Sequence, residues 1–462
     1  MSVWFDVDDL IRYFATSARP TGIQRLSLEL FRQLHQTTGA AGGIIFCRRH
    51  ASPPYFRRVN FAALETKLQA LDEGPAPRGP PLVRQRPTGW LADRARLLPH
   101  RTRRSLQTII YALRDINWAL RDLAQALSGQ ASGGHSNLLG LEQFDTSCSD
   151  AEFAPGDWLV NLGSSWNAPY QPAALESLHR LGGRLAILVH DLIPHLFPEW
   201  STQATLQEYR LWLHETLPRA DLLLTNSRNT AADIASCLSR AQGVLPPVAV
   251  LPMGGLPVSG SVLQPVRPFV LLVSTLEVRK NHALMFKVWQ RLLAQYPESH
   301  VPDLVFAGKR GWLIDDFLSQ IDNAGWLGGK IRFIESPSDA ELAMLYRQCL
   351  FTVYPSLYEG WGLPVTESLG FGKTVAASNR ASIPEAGGDF CVYFDPENIA
   401  EAHSVISGLI MQPERVVALE AHIAANFQPP NWADSAASLI KALTETAQIA
   451  TTAAPAAIEC AA

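Results

Sequence analysis

The chain has 462 residues, 47% of them hydrophobic, and a formal net charge of −4. That length supports two or three domains with buried cores, and the composition excludes a disordered protein and a generally basic nucleic-acid binder. Six cysteines, at 47, 148, 237, 349, 391 and 460, stand far apart with no C-x-x-C pair, which fits free thiols in a reducing compartment better than a disulfide framework or a zinc site.

The first residues, MSVWFDVDDL, carry acids where a signal peptide needs a basic region and an apolar run. No stretch reaches the roughly 18 to 20 apolar residues of a spanning helix, so a cytoplasmic protein, at most peripheral to the inner face of the plasma membrane, is expected. The D-x-D at 6–9 could suggest a metal-dependent transferase, but such a motif should follow a nucleotide-binding half, and so short a lead cannot form one. Carboxylates closing a first strand are the milder reading. Next, ARPTGIQRLSLEL at 18–30 opens a helix on Thr21 and Gly22 after Pro20, offering backbone amides toward a cleft.

Residues 74–104 hold eight arginines against the single acid Asp93. The following SLQTIIYALRDINWALRDLAQAL places Leu106, Ile109, Ile110, Leu113, Leu120 and Leu127 near one helical face. Two readings stay open for this insertion at 74–130: a basic, amphipathic segment on an anionic bilayer, or a packed helix behind a solvated loop.

Short β-type runs then alternate with helical patterns: GGIIFCRR, DWLVNLGS, RLAILVHDLIP, ADLLLTNS and PVAVLPMG in the first half, PFVLLVST, PDLVFAG, KIRFIES, LFTVYPS and TVAAS in the second. This alternation predicts an α/β protein with parallel sheets wound by helices, whose ligands bind at the carboxyl ends of the strands. A Gly-, Pro- and Ser-rich stretch at 254–268 divides them. The expected organisation is a first domain at 1–258, a linker at 259–267, a second domain at 268–425, a final helix at 426–447 and a frayed tail at 448–462.

Within the second domain, YPSLYEGWGLPVTESLGFGKTVAASN at 354–379 sets Glu359 in a loop and Glu367 in the first turns of a helix starting near Pro364. Gly360 and Gly362 allow close backbone approach, and the amides of Trp361, Gly362 and Leu363 can donate to hydroxyls or an anion. Such a site suits a polyhydroxylated ligand bearing phosphate.

This string resembles the E-x7-E signature of the retaining GT-B glycosyltransferases of family 4. The resemblance implies two Rossmann-like domains facing a cleft, with the final helix packing back on the first domain. It further implies that Glu359 and the backbone from Gly360 to Leu363 face the donor sugar while Glu367 accepts from the ribose. VSTLEVRKNH at 273–282, similar to the family's strand, loop and basic pair, implies donor contact at Thr275 and places Arg279 and Lys280 on the diphosphate; Ser274 stands where glycine is frequent. LVFAGKRGW at 304–312 adds Gly308 and Lys309, and the chain near Ile334 is expected to meet the base. ILVHDLIPHLFPEW at 187–200 resembles the family's HD element, giving His190 a catalytic role and Asp191 a place beside the acceptor, with Thr21 and Gly22 in the acceptor-side loop. The likeness covers most of residues 160–445. It implies a nucleotide sugar as donor, a glycan or polyprenyl-diphosphate-linked acceptor, no cofactor and no metal. TGIQR and HDLIP resemble bacterial mannosyltransferases of surface polysaccharide assembly, so GDP-mannose is the first expectation and a UDP-hexose the second. A sugar-nucleotide epimerase and an inactive binding member of the same fold are the rival readings.

Overall fold

The computed structural model describes residues 1–15, 17, 20, 22–37, 43–53, 55–72, 153–240, 246–255 and 268–452. Thr21, the arginine-rich insertion at 74–130, the linker at 259–267 and the last ten residues lie outside them.

In the first domain, β1 (Val3–Asp6), β2 (Ile44–Arg49), β3 (Phe56–Arg58), β4 (Trp158–Asn161), β5 (Arg184–Val189), β6 (Leu222–Thr225) and β7 (Val248–Val250) form one sheet. Their order is β3-β2-β1-β4-β5-β6-β7, parallel except for the antiparallel edge strand β3. Helices α1 (Asp8–Phe14), α2 (Gly22–Thr37), α3 (Phe61–Asp72), α4 (Pro172–Arg180), α5 (Ile193–Leu196), α6 (Gln203–Leu211) and α7 (Arg228–Arg240) connect and cover it. The central strands are buried along their whole length, which is why they read as unbroken apolar runs without alternation.

The second sheet contains β8 (Phe269–Val273), β9 (Asp303–Gly308), β10 (Ile331–Glu335), β11 (Thr352–Tyr354), β12 (Val375–Ser378) and β13 (Cys391–Phe394). Its order is β10-β9-β8-β11-β12-β13, with every neighbouring pair parallel. Around it run α8 (His282–Gln295), α9 (Asp315–Asn323), α10 (Asp339–Gln348), α11 (Leu363–Gly370), α12 (Ile383–Gly387), α13 (Ile399–Met411) and α14 (Pro413–Asn426). In each sheet the strand order reverses once, between β1 and β4 and between β8 and β11, and the crevice of a doubly wound sheet opens at such a reversal.

The last helix, α15 (Trp432–Thr452), starts later and runs further than the sequence suggests, because Pro429 and Pro430 separate it from α14. It packs on the first domain: Trp432, Ala436, Leu439 and Leu443 join that core, and the Trp432 indole donates to the Gly255 carbonyl at 3.1 Å. A Cβ on Gly254 would stand 2.3 Å from the Trp432 ring, so only glycine admits this contact.

The two domains touch on several sides. Trp361 and Leu363 of the second pack against the first domain's core. Lys309 donates to the Tyr13 hydroxyl at 2.6 Å, and Trp312 to the Trp200 carbonyl at 2.7 Å. Glu385 accepts from the amides of Arg228 and Asn229 at 2.9 and 2.8 Å, so a carboxylate of one domain caps α7 of the other, where the free amides and the helix dipole favour an anion. Among the described residues, no helix is long and apolar enough to cross a membrane.

Candidate functional site

Between the domains lies a cavity of about 200 Å³. The segment after β8 contributes Ser274, Thr275 and Lys280; the end of β9 and its loop contribute Gly308 and Lys309; α11 contributes Leu363, Pro364 and Glu367. From the first domain come Pro20, Gly22 and Arg25, so the cavity is complete only with both domains in place. Of the predicted residues, Thr275, Lys280, Gly308, Lys309, Leu363, Glu367 and Gly22 thus line this cavity. Gly308 is required there: with φ +157 its Cβ would lie 2.0 Å from the Ser274 carbonyl oxygen.

The basic pair is presented by one turn of 3-10 helix, Val278–Lys280, stopped by Asn281 in the left-handed conformation (φ 58). Asparagine tolerates that conformation better than most residues, and its side chain donates to the Pro396 carbonyl at 2.9 Å. Lys280 Nζ then reaches Glu359 Oε1 at 2.6 Å, and Arg279 Nη1 reaches Glu359 Oε2 at 2.6 Å while its Nη2 reaches Glu277 at 2.7 Å. Tyr354 donates to Glu359 at 3.0 Å, and Ser356 also donates to that carboxylate. Burial alone would push the Glu359 carboxyl up, but Arg279 and Lys280 together hold it down at about 2. Ser382 fixes the loop by donating to the carbonyls of Glu359 and Trp361, both at 2.8 Å.

Glu359 is not among the residues that line this cavity. It lies behind Lys280, outside the cavity wall, with both oxygens committed. Arg279 is likewise behind the wall. Gly360 and Trp361 seal the domain junction instead of lining the cavity: a Cβ on Gly360 would lie 2.0 Å from the His190 carbonyl oxygen, and the buried Trp361 Nε1 has no hydrogen-bond partner among the described residues. Gly362, at φ +127, is the turn from which α11 starts.

His190 is turned away from the cavity. Its Nε2 lies 3.0 Å from the Leu162 carbonyl, burial lowers its pKa to about 4, and its own carbonyl accepts from Asn226 at 2.8 Å. The neutral ring donates to the chain just after β4, and His190 is not among the residues that line the cavity. Asp191 caps the short turn after β5 through the Ile193 amide at 3.0 Å; burial raises its pKa, against the pull of nearby Arg279. Ile334 packs with the apolar cluster around Phe269 and Tyr346, and Ser336 and Pro337, two and three residues on, form the cavity wall.

Glu367 is almost fully buried. One oxygen accepts from the Tyr346 hydroxyl at 2.9 Å and the other meets Arg25 Nη1 at 3.4 Å. Burial raises its pKa, opposed chiefly by Arg25. Sequence reasoning did not single out Arg25, Asp339 or Tyr346, although Arg25 stands in the TGIQR string and the other two in SPSDAELAMLYRQ.

The carboxylates of DVDD are accounted for inside the first domain. Asp6 accepts from Tyr170 at 2.6 Å and Asn161 at 3.1 Å and pairs with Arg49 at 3.2 Å. Asp8 pairs with Arg12 at 2.6 Å, and Asp9 accepts from Gln24 at 3.2 Å. Among the described residues no group of three or more His, Cys, Asp and Glu side chains is placed to hold a metal ion.

The family described as Glycosyl transferases group 1 matches residues 261–424. The chain is 30% identical over 267 residues to "O-antigen chain mannosyltransferase B" of Escherichia coli, covering 56% of this chain and 65% of that protein. It is 25% identical over 249 residues to "Serotype-specific mannosyltransferase WbdA" of Escherichia coli, covering 49% and 30%. A shorter stretch of 82 residues is 32% identical to "MMP alpha-(1->4)-mannosyltransferase" of Mycolicibacterium hassiacum, covering 17% and 20%. The chain thus spans less than two thirds of the length of each of these relatives.

Proposed function

We propose that this chain, a GT-B protein whose residues 261–424 match the Glycosyl transferases group 1 family, moves a hexose from a nucleotide sugar to a growing glycan with retention of anomeric configuration. The observation that carries this reading is the interdomain cavity with its charge: three cations, Arg25, Lys280 and Lys309, against two carboxylates, Asp339 and Glu367, leave a net of +1 on its wall. A wall of that sign, with a buried carboxylate at one end, suits a diphosphate flanked by ribose and sugar hydroxyls. Mannose from GDP-mannose is the first choice, supported by the relatives' names; a UDP-hexose is the second.

In the proposed chemistry the bond between the sugar's anomeric carbon and the diphosphate oxygen breaks as the acceptor oxygen bonds to the same face. The acceptor's proton passes to the departing diphosphate, so no protein nucleophile is consumed. Lys280 stabilises the charge that grows on the diphosphate, and Glu359 with Arg279 fixes where its ammonium stands. Preorganised charge of this kind is worth several kcal/mol in a partly dry site. Because protein cations can supply it, we expect no divalent ion to be required, and EDTA should leave the rate nearly unchanged.

Thermal unfolding and hydrolysis against a panel of nucleotide sugars tests the reading, since a ligand at 100 times its Kd stabilises by about 2.7 kcal/mol. GDP-mannose should shift the transition most. Conversion of the donor sugar without any acceptor would point to an epimerase, and silence across the panel would contradict transfer. The acceptor is proposed to be lipid-linked, with the arginine cluster at 78–104 holding the enzyme to an anionic leaflet.

A further inference from the structure

Arg25 belongs to the first turn of α2, in the first domain, yet its side chain ends among groups of the second. Its Nη2 pairs with Asp339, the first residue of α10, and its Nη1 lies 3.4 Å from Glu367 Oε1. The Arg25 side chain is 15% exposed, that of Glu367 5% and that of Asp339 47%, so Arg25 is anchored at the wetter carboxylate and leans over the drier one. Asp339 is itself held in place, because Ser338 caps α10 in a reciprocal pair with Glu341. A contact of 3.4 Å lies beyond the usual hydrogen-bond range. Glu367 Oε1 therefore has its charge compensated while its lone pairs stay largely available to the cavity, where Tyr346 takes only the other oxygen.

We propose that Arg25 is a positioning residue for the ribose end of the donor: supplied across the cleft by the first domain, it keeps Glu367 ionised and oriented so that Glu367 can accept from the ribose hydroxyls. The inference rests on the reading of the cavity as a nucleotide-sugar site. Burial disfavours a carboxylate unless a cation faces it, and the cation paired with Glu367, Arg25, is in the other domain. The accepting form of Glu367 thus depends on the two domains being together, which ties the ribose grip to the domain arrangement seen here.

The test is calorimetric binding of GDP and UDP, and of their 2′,3′-dideoxy counterparts, to the full chain and to Arg25→Ala. For the diphosphate that wild type binds, Arg25→Ala should weaken the ribonucleotide about tenfold more than the dideoxy form, the scale of one hydrogen bond to a charged group. Arg25→Lys should recover part of the loss, since one cation is restored without the two-pronged geometry. Should Arg25→Ala not fold, Asp339→Asn, which frees the anchor and keeps Arg25, should show the same selective loss on a smaller scale. Equal weakening of ribo and dideoxy forms, or no weakening of either, would overturn the inference alone. A wild-type protein that binds neither diphosphate would take the proposed function down with it.

Discussion

Glu359 and Glu367 come from one short stretch and are both buried, yet their carboxyls are driven in opposite directions. Glu359 is gripped by Arg279 and Lys280 of its own domain and held at about 2. Glu367, with a phenol on one oxygen and a single long contact from Arg25 on the other, is pushed above its ordinary value by burial. The difference lies in partners alone, and it separates two tasks. A carboxylate saturated by cations can place those cations but has little left for a ligand, whereas a sparsely partnered one retains acceptor capacity.

The sharpest way to break this comparison is at the cation that Glu359 places. Lys280→Ala should lower kcat by about 10² to 10³-fold while raising KM much less, because the lost charge acts on the developing diphosphate anion; initial rates over a range of donor concentrations decide it. Gly360→Ala leaves both carboxylates intact but puts a methyl group 2.0 Å from the His190 carbonyl oxygen. We expect the domains to be forced apart and kcat/KM to fall about 10²-fold, the cost of roughly 1 Å of misplacement, with solution scattering reporting the opening.

A smaller effect is expected at the other carboxylate. Glu367→Ala should weaken donor binding by about tenfold and leave kcat on saturating donor nearly unchanged; unaltered donor affinity would refute the ribose role.

The opposite shifts also predict opposite acid responses. The Glu359 carboxyl is lowered in the folded protein, so its contribution to stability is present above the ordinary value of 4.5 and is lost as pH falls toward about 2. Glu367 is raised, so donor affinity should begin to fall at a higher pH, before global stability does. Measuring donor Kd and unfolding free energy on the same pH series checks the order; coincident losses would erase the distinction.

The smallest expected effect on catalysis lies in the insertion. Reversing Arg101, Arg103 and Arg104 to glutamate should abolish low-salt co-sedimentation with anionic vesicles and spare activity on a short soluble acceptor. Equal attachment to zwitterionic vesicles would remove the membrane role.

Much of this was legible in the sequence, for reasons that differ by element. Buried parallel strands such as Leu222–Thr225 announce themselves as apolar runs, and the punctuation by glycine and proline before α11 fixes where that helix begins. The edge strands β3 and β13 went unseen: the first is three residues long, two of them arginine, and the second, CVYF, is only four residues long and mostly half-buried. Groups that sit in one string stand out together in the sequence, as with the basic pair at 279 and 280, of which Lys280 lines the cavity and Arg279 does not. Partners distant in the chain do not: Arg25 and Glu367 are separated by 342 positions, and Glu385 reaches Arg228 across 157. A histidine at a strand end has two sides to turn to, and only the fold reveals that the His190 Nε2 meets the Leu162 carbonyl.

The stereochemistry of transfer tests the assignment of the cavity most directly. Proton NMR of the first product formed from GDP-mannose and a short mannose acceptor, recorded before the anomers can equilibrate, reads it directly. Retention of the donor's α configuration in the new linkage, with the rate unaffected by EDTA, is the predicted result; a β-linked product, or no transfer from any nucleotide sugar, would contradict the assignment of the cavity and of Lys280 within it.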